Sequence, residues 1–472
     1  MARLARISPL TALWLAIGSW FAGFAALSIL RQRAFSTGRF DLGNMVQAVW
    51  STAHGHPLQV TDLHGREVLR FAAHVDPVLV LLTPAWLAWP SPDVLLVVQA
   101  AAMALGALPV FLLARKHLAS PRAGVAFALV YLLYPATTWT ALNEFHPVAF
   151  ATPLLLGAIW ALDEDRLAWF AGFALLAATT KEEIPLVIAA LGIWFALARG
   201  RRVAGAAIAV AGVAWAAVAI GVVIPHYNRQ GSGFYGRYSE IGGSPRGVVH
   251  TALHDPWTFF TVAFDHAGVH YLLALVLPLA GLCLLSPLAL VAIPELALNL
   301  LSSTPTQSSI HFHYVAGEIP PLVAAAVLGA RRVSRFPAAP VALLAALLGN
   351  YALGAIPVWS ALPGGETLQA HAHDVTEHDR VTARALRLIP PHAAVSATNS
   401  LGAHLSARHR FLSFPFIQDA AWVAVDETQP GFSDRVAPLP SAVQIAWLRR
   451  NRAWRLVFEQ DGVLVFRRVL PP

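Results

Sequence analysis

The chain has 472 residues, of which 57% are hydrophobic and only 12% charged. An ordinary soluble protein carries about one-quarter charged residues, so this composition excludes a soluble enzyme as well as a disordered chain. The net charge of +7, from 33 Lys+Arg against 26 Asp+Glu, does not call for nucleic acid, because basic residues of membrane proteins collect in cytoplasmic loops.

A membrane core takes about 20 apolar residues as helix. The first such segment is 10–30, preceded by Arg3 and Arg6. It is too long for a signal-peptide core and reads as an uncleaved anchor with its N-terminus inside. Ten more follow: 94–114, 123–141, 147–162, 167–180, 184–198, 203–224, 271–285, 287–302, 315–330 and 337–359. The expected total is about eleven spans. Segments 167–180 and 271–302 are short and suit tilted, half-inserted or re-entrant helices. Arg115-Lys116-His117 with Arg122, Arg199 with Arg201-Arg202, and Arg331-Arg332 with Arg335 all fall on the side that Arg3 and Arg6 assign to the cytoplasm. Regions 31–93, 143–146, 226–270 and 302–314 then lie outside, with everything after 360. Of the 19 His, only His117 is left inside. The single Cys283 permits no intrachain disulfide and no cysteine metal site.

The expected organisation is a membrane domain over 1–360, with external loops 31–93 and 226–270, and a small extracytoplasmic α/β domain over 361–472. In the latter, 376–389 reads as an amphipathic helix ended by Pro390-Pro391. Segments 393–397, 411–414 and 422–425 read as strands, and 441–451 as a helix capped by Ser441. Segments 454–459 and 463–468 form a hairpin around Asp461-Gly462. No internal repeat is visible.

Polar residues that suit chemistry gather in the external loops. Asp41 follows the first span and precedes Met45, Val46, Val49 and Trp50, an amphipathic interfacial pattern. It reads either as a helix cap or as a catalytic base beside the headgroups. Segment 78–89 is a second interfacial helix, with Trp86 and Trp89 at headgroup depth. His74 and Asp76 just before it read as active-site groups, metal ligands or a wet loop. Glu144 and His146, two apart in a short turn, face one site if the backbone is extended, and suit a divalent metal or a phosphate–metal complex. Lys181, Glu182 and Glu183 interrupt apolar sequence from 167 to 198, where charge is costly. Lys181 suits a lipid phosphate; the alternative is a plain turn. His311 and His313 alternate with aromatics at a span entrance and suit a sugar phosphate or a metal. Glu295 lies within the apolar stretch 293–301 and reads as surface-near or cavity-facing. There is no HExxH, GxxxxGK[ST] or helix-opening GxGxxG, so cytosolic nucleotide chemistry is unsupported.

Phe40-Asp41-Leu42-Gly43, His74 with Asp76-Pro77, Glu144-Phe145-His146-Pro147, Lys181-Glu182-Glu183, His311-Phe312-His313-Tyr314, Val395-Ser396-Ala397-Thr398-Asn399 and His404-Leu405-Ser406 occur in this order. The set resembles a bacterial family of polytopic membrane proteins of unknown function, domain of unknown function two-thousand-and-seventy-nine. That family is similar to the type C glycosyltransferase superfamily. The resemblance covers most of the chain and implies an α-helical polytopic fold in the bacterial inner membrane. It also implies sugar transfer at the outer face from a polyprenyl-phosphate donor to a glycan, lipid or protein acceptor of the envelope. It gives Asp41 the role of activating or orienting the acceptor hydroxyl. Some branches pair two acids there, whereas here Leu42 follows Asp41. Lys181, Arg39, or a metal held by Glu144 and His146 would stabilise the leaving phosphate. A transporter or lipid flippase, and a noncatalytic assembly or sensor protein, are the competing readings.

Overall fold

The computed structural model describes residues 7–228, 233–333, 335–435 and 439–470, so Arg3 and Arg6 lie outside the described residues. Helix α1 (Pro9–Arg33) starts at Ser8, whose side chain accepts from the Thr11 amide, and has Pro9 at its first position. Its buried stripe of Leu13, Ile17, Trp20 and Phe24 recurs at helical spacing, while Leu10, Trp14 and Leu15 stay exposed. The loop after it holds α2 (Asn44–Ala53), a hairpin of β1 (Gln59–Thr61) and β2 (Glu67–Leu69), and α3 (Thr83–Ala88). The hairpin has no counterpart in the sequence reading. The two interfacial helices do, in α2 and in 77–88.

The membrane part continues through α4 (Pro92–Leu105) and α5 (Ala107–His117), α6 (Pro121–Leu133) and α7 (Pro135–Leu142), α8 (Ala151–Asp163), α9 (Leu167–Ala178), α10 (Ile184–Ala198), α11 (Arg202–Val218) and α12 (Ile224–Tyr227). Next come α13 (Pro245–His254), α14 (Trp257–Ala263), α15 (His266–Val276), α16 (Ile293–Leu300), α17 (Ile319–Arg332) and α18 (Ala338–Leu353). Each of the eleven apolar segments contains helix. Among the described residues, however, only three helices are long and apolar enough to cross a membrane: 9–33, 92–117 and 202–227. Counting each bent pair as one span gives five. Two pairs are bent at a break: α6 and α7 meet at 51° at Pro135, and 257–263 meets 266–279 at 63° where Asp265 caps the second helix. Broken helices survive in lipid only if the freed carbonyls find donors. Here the Leu132 carbonyl accepts from Trp20 Nε1 (2.8 Å) and the Leu133 carbonyl from Asn350 Nδ2 (2.7 Å). Val203 is 86% and Leu197 80% exposed, as expected of side chains that face lipid.

At one end of the bundle the basic loops meet. Lys116 Nζ, His117 Nε2 and Arg199 Nη1 lie 2.7, 3.0 and 3.3 Å from the Asp163 carboxylate, and Arg331 reaches His117. The C-terminal sheet is ordered β4-β3-β5-β7-β6. Strands β3 (Val395–Ala397), β4 (Phe411–Ser413) and β5 (Trp422–Asp426) are parallel, and β6 (Trp454–Gln460) with β7 (Val463–Arg468) forms the expected hairpin. Asp461 and Gly462 supply its two positive φ values. Helices α19 (Glu377–Leu386) and α20 (Asn399–Leu405) cover one face, and Phe35 from the first loop enters that core. A short α21 (Phe432–Arg435) precedes α22 (Ser441–Arg450), which packs on the other face. Helix α19 opens with a capping box between Thr376 and Asp379. The Ser441 cap is corrected: Pro440 precedes the helix and no side chain caps it.

Candidate active site

Asp41 sits in a single wide helical turn, Arg39–Gly43, that runs into α2. It is not the cap of α2, whose preceding residue is Gly43 with no side-chain capping bond. Two side chains from distant elements hold the turn. Glu144 Oε2 accepts from the Gly38 and Leu42 amides (2.9 and 3.1 Å), and Asn399 Oδ1 accepts from the Arg39 amide (3.0 Å). Asn399 is itself fixed by Asp434, which accepts from its amide. The C-terminal sheet therefore helps shape the Asp41 turn. Helix α20 rests on that turn at Gly402, where a Cβ would run into the Cβ of Arg39.

Glu144 has φ +50°, so the extended backbone expected for 144–146 is replaced by a left-handed residue. The consequence is a division of labour. Glu144 turns to the amides, while His146 turns to Asp41, with Nε2 3.1 Å from Oδ1. The Asn143 carbonyl accepts from His146 Nδ1 (2.8 Å), which fixes a proton on that nitrogen. Nε2 then faces a carboxylate oxygen of Asp41. His146 is 6% exposed and Asp41 45%, so the carboxylate is the reachable member. Burial alone would raise the Asp41 carboxyl; His146, Arg70 and His74 outweigh it and hold it below the usual carboxylate range. Burial and the Asp41 charge push Glu144 the other way, up to about 8.

From His146 the site continues as a chain of contacts. His146 stacks on His313 (3.6 Å), and His313 lies against Tyr314 (4.2 Å). Lys181 and Arg237 stand 5.3 and 5.9 Å from the Tyr314 ring. Arg237 also lies 4.6 Å over Phe234, and His74 lies 4.9 Å from that ring. His74 Nδ1 is 2.8 Å from Glu182 Oε1, and Lys181 pairs with Glu183. Burial opposes the Lys181 charge, but Glu183 and Glu182 outweigh it and keep the ammonium above its usual value. Burial and the surrounding cations together keep His313 well below the usual imidazole value.

Asp41, His74, His146, Lys181, Glu182, Glu183 and His313 thus come together in one chain of contacts. Arg39, Asp76 and His311 do not. Arg39 is buried against the sheet, donating to the Thr61 carbonyl (2.6 Å) and lying over Phe411. Asp76 is closed in a buried pair with Arg70 (2.8 Å). His311 faces Ser309 and, at 3.6 Å, Glu366. The Glu144–His146 pair is not assembled for a metal, since one oxygen of Glu144 is bound to amides. Among the described residues no three His, Cys, Asp or Glu side chains are grouped to hold one ion. Arg237 was missed by sequence reasoning. Its signal is Phe234-Tyr235-Gly236-Arg237-Tyr238, a cation among aromatics in an otherwise featureless loop.

A family model described as "Predicted membrane protein (DUF2079)" matches residues 31–465. No curated protein matches the chain. Among solved structures, ArnT from Cupriavidus metallidurans bound to undecaprenyl phosphate is similar with a TM-score of 0.50. The identity is 12%, and the match covers 96% of this chain and 98% of that one. The same protein in the apo state matches with the same values. At this identity the likeness shows the fold: an α-helical membrane protein of the type C glycosyltransferase architecture with a small C-terminal sheet region.

Proposed function

The chain belongs to the DUF2079 family of predicted membrane proteins, and from that membership and the geometry around Asp41 we propose that it transfers a sugar from a polyprenyl-phosphate donor to an envelope acceptor at the outer membrane surface. The observation that carries the reading is one continuous chain of side-chain contacts with an acid at one end and cations at the other. Its members are the half-exposed Asp41 beside His146, the His313 stack, and Lys181 with Arg237 about Tyr314.

The chemistry follows from charge. The acceptor hydroxyl approaches Asp41, which is ionised at neutral pH and takes its proton as the oxygen attacks the anomeric carbon. The bond from that carbon to the phosphate oxygen breaks, and the polyprenyl phosphate leaves with the electron pair. Lys181 and Arg237 neutralise the developing phosphate charge in a partly desolvated site. His146 keeps the Asp41 carboxylate oriented. Arg39 holds the turn rather than the phosphate. No step is routed through a metal: among the described residues no three His, Cys, Asp or Glu side chains are grouped to hold one ion. The ligand in the solved ArnT structure, undecaprenyl phosphate, is of the class that the proposed donor would release as its leaving group.

The test is envelope glycolipid and glycan profiling by mass spectrometry in a deletion strain complemented with wild type or with Asp41→Asn. Loss of a general base costs about 10²–10⁴-fold in rate. Asp41→Asn is therefore expected to reproduce the deletion profile while the protein accumulates normally. A wild-type profile from correctly folded Asp41→Asn would overturn the reading.

A further inference from the structure

A cavity of about 560 Å³ opens between the end of α1 and helices α19 and α20, apart from the Asp41 site. Its floor is apolar, with Phe35, Leu386 and Leu405. Arg33 and Arg387 stand exposed at its edge, with Arg380, which pairs with Glu377 at 3.1 Å. Three polar side chains line the interior: Asp379, His404 and the buried Arg408, whose Nη1 donates to the Pro390 and Ala393 carbonyls (3.3 and 2.9 Å) and whose Nε donates to the Leu405 carbonyl. Asp379 is 3% exposed; its Oδ2 accepts from the Thr376 amide (2.7 Å), while Oδ1 has no partner. His404 stacks on Phe35 (4.0 Å) and hydrogen-bonds the Gln32 backbone, and its buried Nε2 has no partner. A backbone carbonyl accepts, so the proton of this imidazole is on the bonded nitrogen and Nε2 is left as an acceptor.

The cavity therefore offers two unsatisfied acceptors inside, which ask for hydroxyl donors, and cations at the mouth, which ask for an anion. Its place adds a third constraint. Helix α1 has 25 residues, enough to span a membrane, so Arg33 at its last position stands at a bilayer surface. We propose that the cavity binds one phospholipid of that leaflet, with an anionic phosphodiester at the arginines and headgroup hydroxyls donating to Asp379 and His404, as phosphatidylglycerol provides. The Asp379 carboxylate would repel a phosphate placed against it, so the hydroxyls lie inward and the phosphate at the mouth. The acyl chains leave along the apolar flank of α1. Because α20 also rests on the Asp41 turn, the bound lipid braces the element that shapes the active site. The proposal does not depend on the transferase reading.

The test is native mass spectrometry of the full chain in detergent, titrated with phosphatidylglycerol, phosphatidylcholine, phosphatidylmethanol or soluble glycerol 3-phosphate. Each cation near an anionic lipid contributes a factor of about five. Arg33→Ala/Arg387→Ala is therefore expected to weaken phosphatidylglycerol binding about 25-fold. Arg450→Ala/Arg455→Ala removes two exposed charges outside the cavity and is expected to leave it unchanged. Phosphatidylmethanol, with the charge but no hydroxyls, and phosphatidylcholine, without the net charge, are expected to bind more weakly. Equal loss in both double variants, equal binding of phosphatidylmethanol, or competition by free glycerol 3-phosphate at the lipid's own concentration would each overturn the lipid site.

Discussion

Asp41 and Glu144 lie on either side of one backbone turn, and their surroundings drive them apart. Asp41 stays ionised beside His146; Glu144, buried and next to that charge, keeps its proton up to about pH 8. The sign follows. A carboxyl raised above its ordinary 4.5 contributes stability that is fully present below 4.5 and is lost as pH rises through about 8. Thermal melting is expected to fall across that window in wild type. Glu144→Gln, which still accepts from the Gly38 and Leu42 amides, is expected to flatten it; an unchanged slope in the variant would refute the assignment. Single residues were the most legible part of the sequence, because charge inside apolar sequence is conspicuous. That criterion found Asp41, Glu144, His146 and Lys181. It could not tell which charges face the site and which hold the frame. Arg39 and Asp76 are as conspicuous as Asp41 yet are closed in buried contacts with carbonyls and with Arg70. Arg237 escaped because it lies among aromatics in a loop and does not interrupt an apolar span.

At the scale of elements, breaks in helices matter more than their lengths. Pro135 ends α6 and turns α7 so that its C-terminal end delivers Asn143, Glu144 and His146 to the site. The break is tolerated because Asn350, fully buried, donates to the Leu133 carbonyl and accepts from Trp359 Nε1 (2.8 Å). Asn350→Ala leaves both groups unpaired and is expected to destabilise by about 2 kcal/mol, read as a lower melting temperature in lipid nanodiscs; no change would mean water or lipid replaces the donor. In the C-terminal unit, His378 bridges Asp426 and Asp461 at 2.9 Å each and ties α19 to the β6–β7 turn. Burial lowers the His378 imidazole, but the two carboxylates outweigh it and raise it above its usual 6.5. The clamp is thus fully present below 6.5 and lost as pH rises through the higher folded value. Amide exchange at β6–β7, corrected for intrinsic rates, is expected to speed up across that range in wild type but not in His378→Ala. The hairpin and α19 were legible from Asp461-Gly462 and from amphipathic spacing. The β1–β2 hairpin and α20 were not, since each is short and takes its order from long-range partners such as Arg39 and Gln47.

The whole molecule couples a lipid-facing bundle to a sheet through the Asp41 turn. Composition made the membrane class plain, and the order of short motifs pointed to the fold. The count of spans was less legible, because hydropathy measures apolar length and not whether a proline bends the helix within it. The two ends of the turn's support, Glu144 from the bundle and Asn399 from the sheet, are 255 positions apart, a relation that no local pattern encodes. This arrangement makes the site depend on both parts, with the cations at one end of a chain of contacts and the carboxylate at the other. The decisive measurement is a cryo-EM map of the protein in lipid nanodiscs incubated with a polyprenyl phosphate. Phosphate density beside Lys181 and Arg237, with Asp41 open to the aqueous side, is the predicted result. Phosphate density elsewhere, with a continuous polar path through the helices instead, would contradict the transferase account and favour transport.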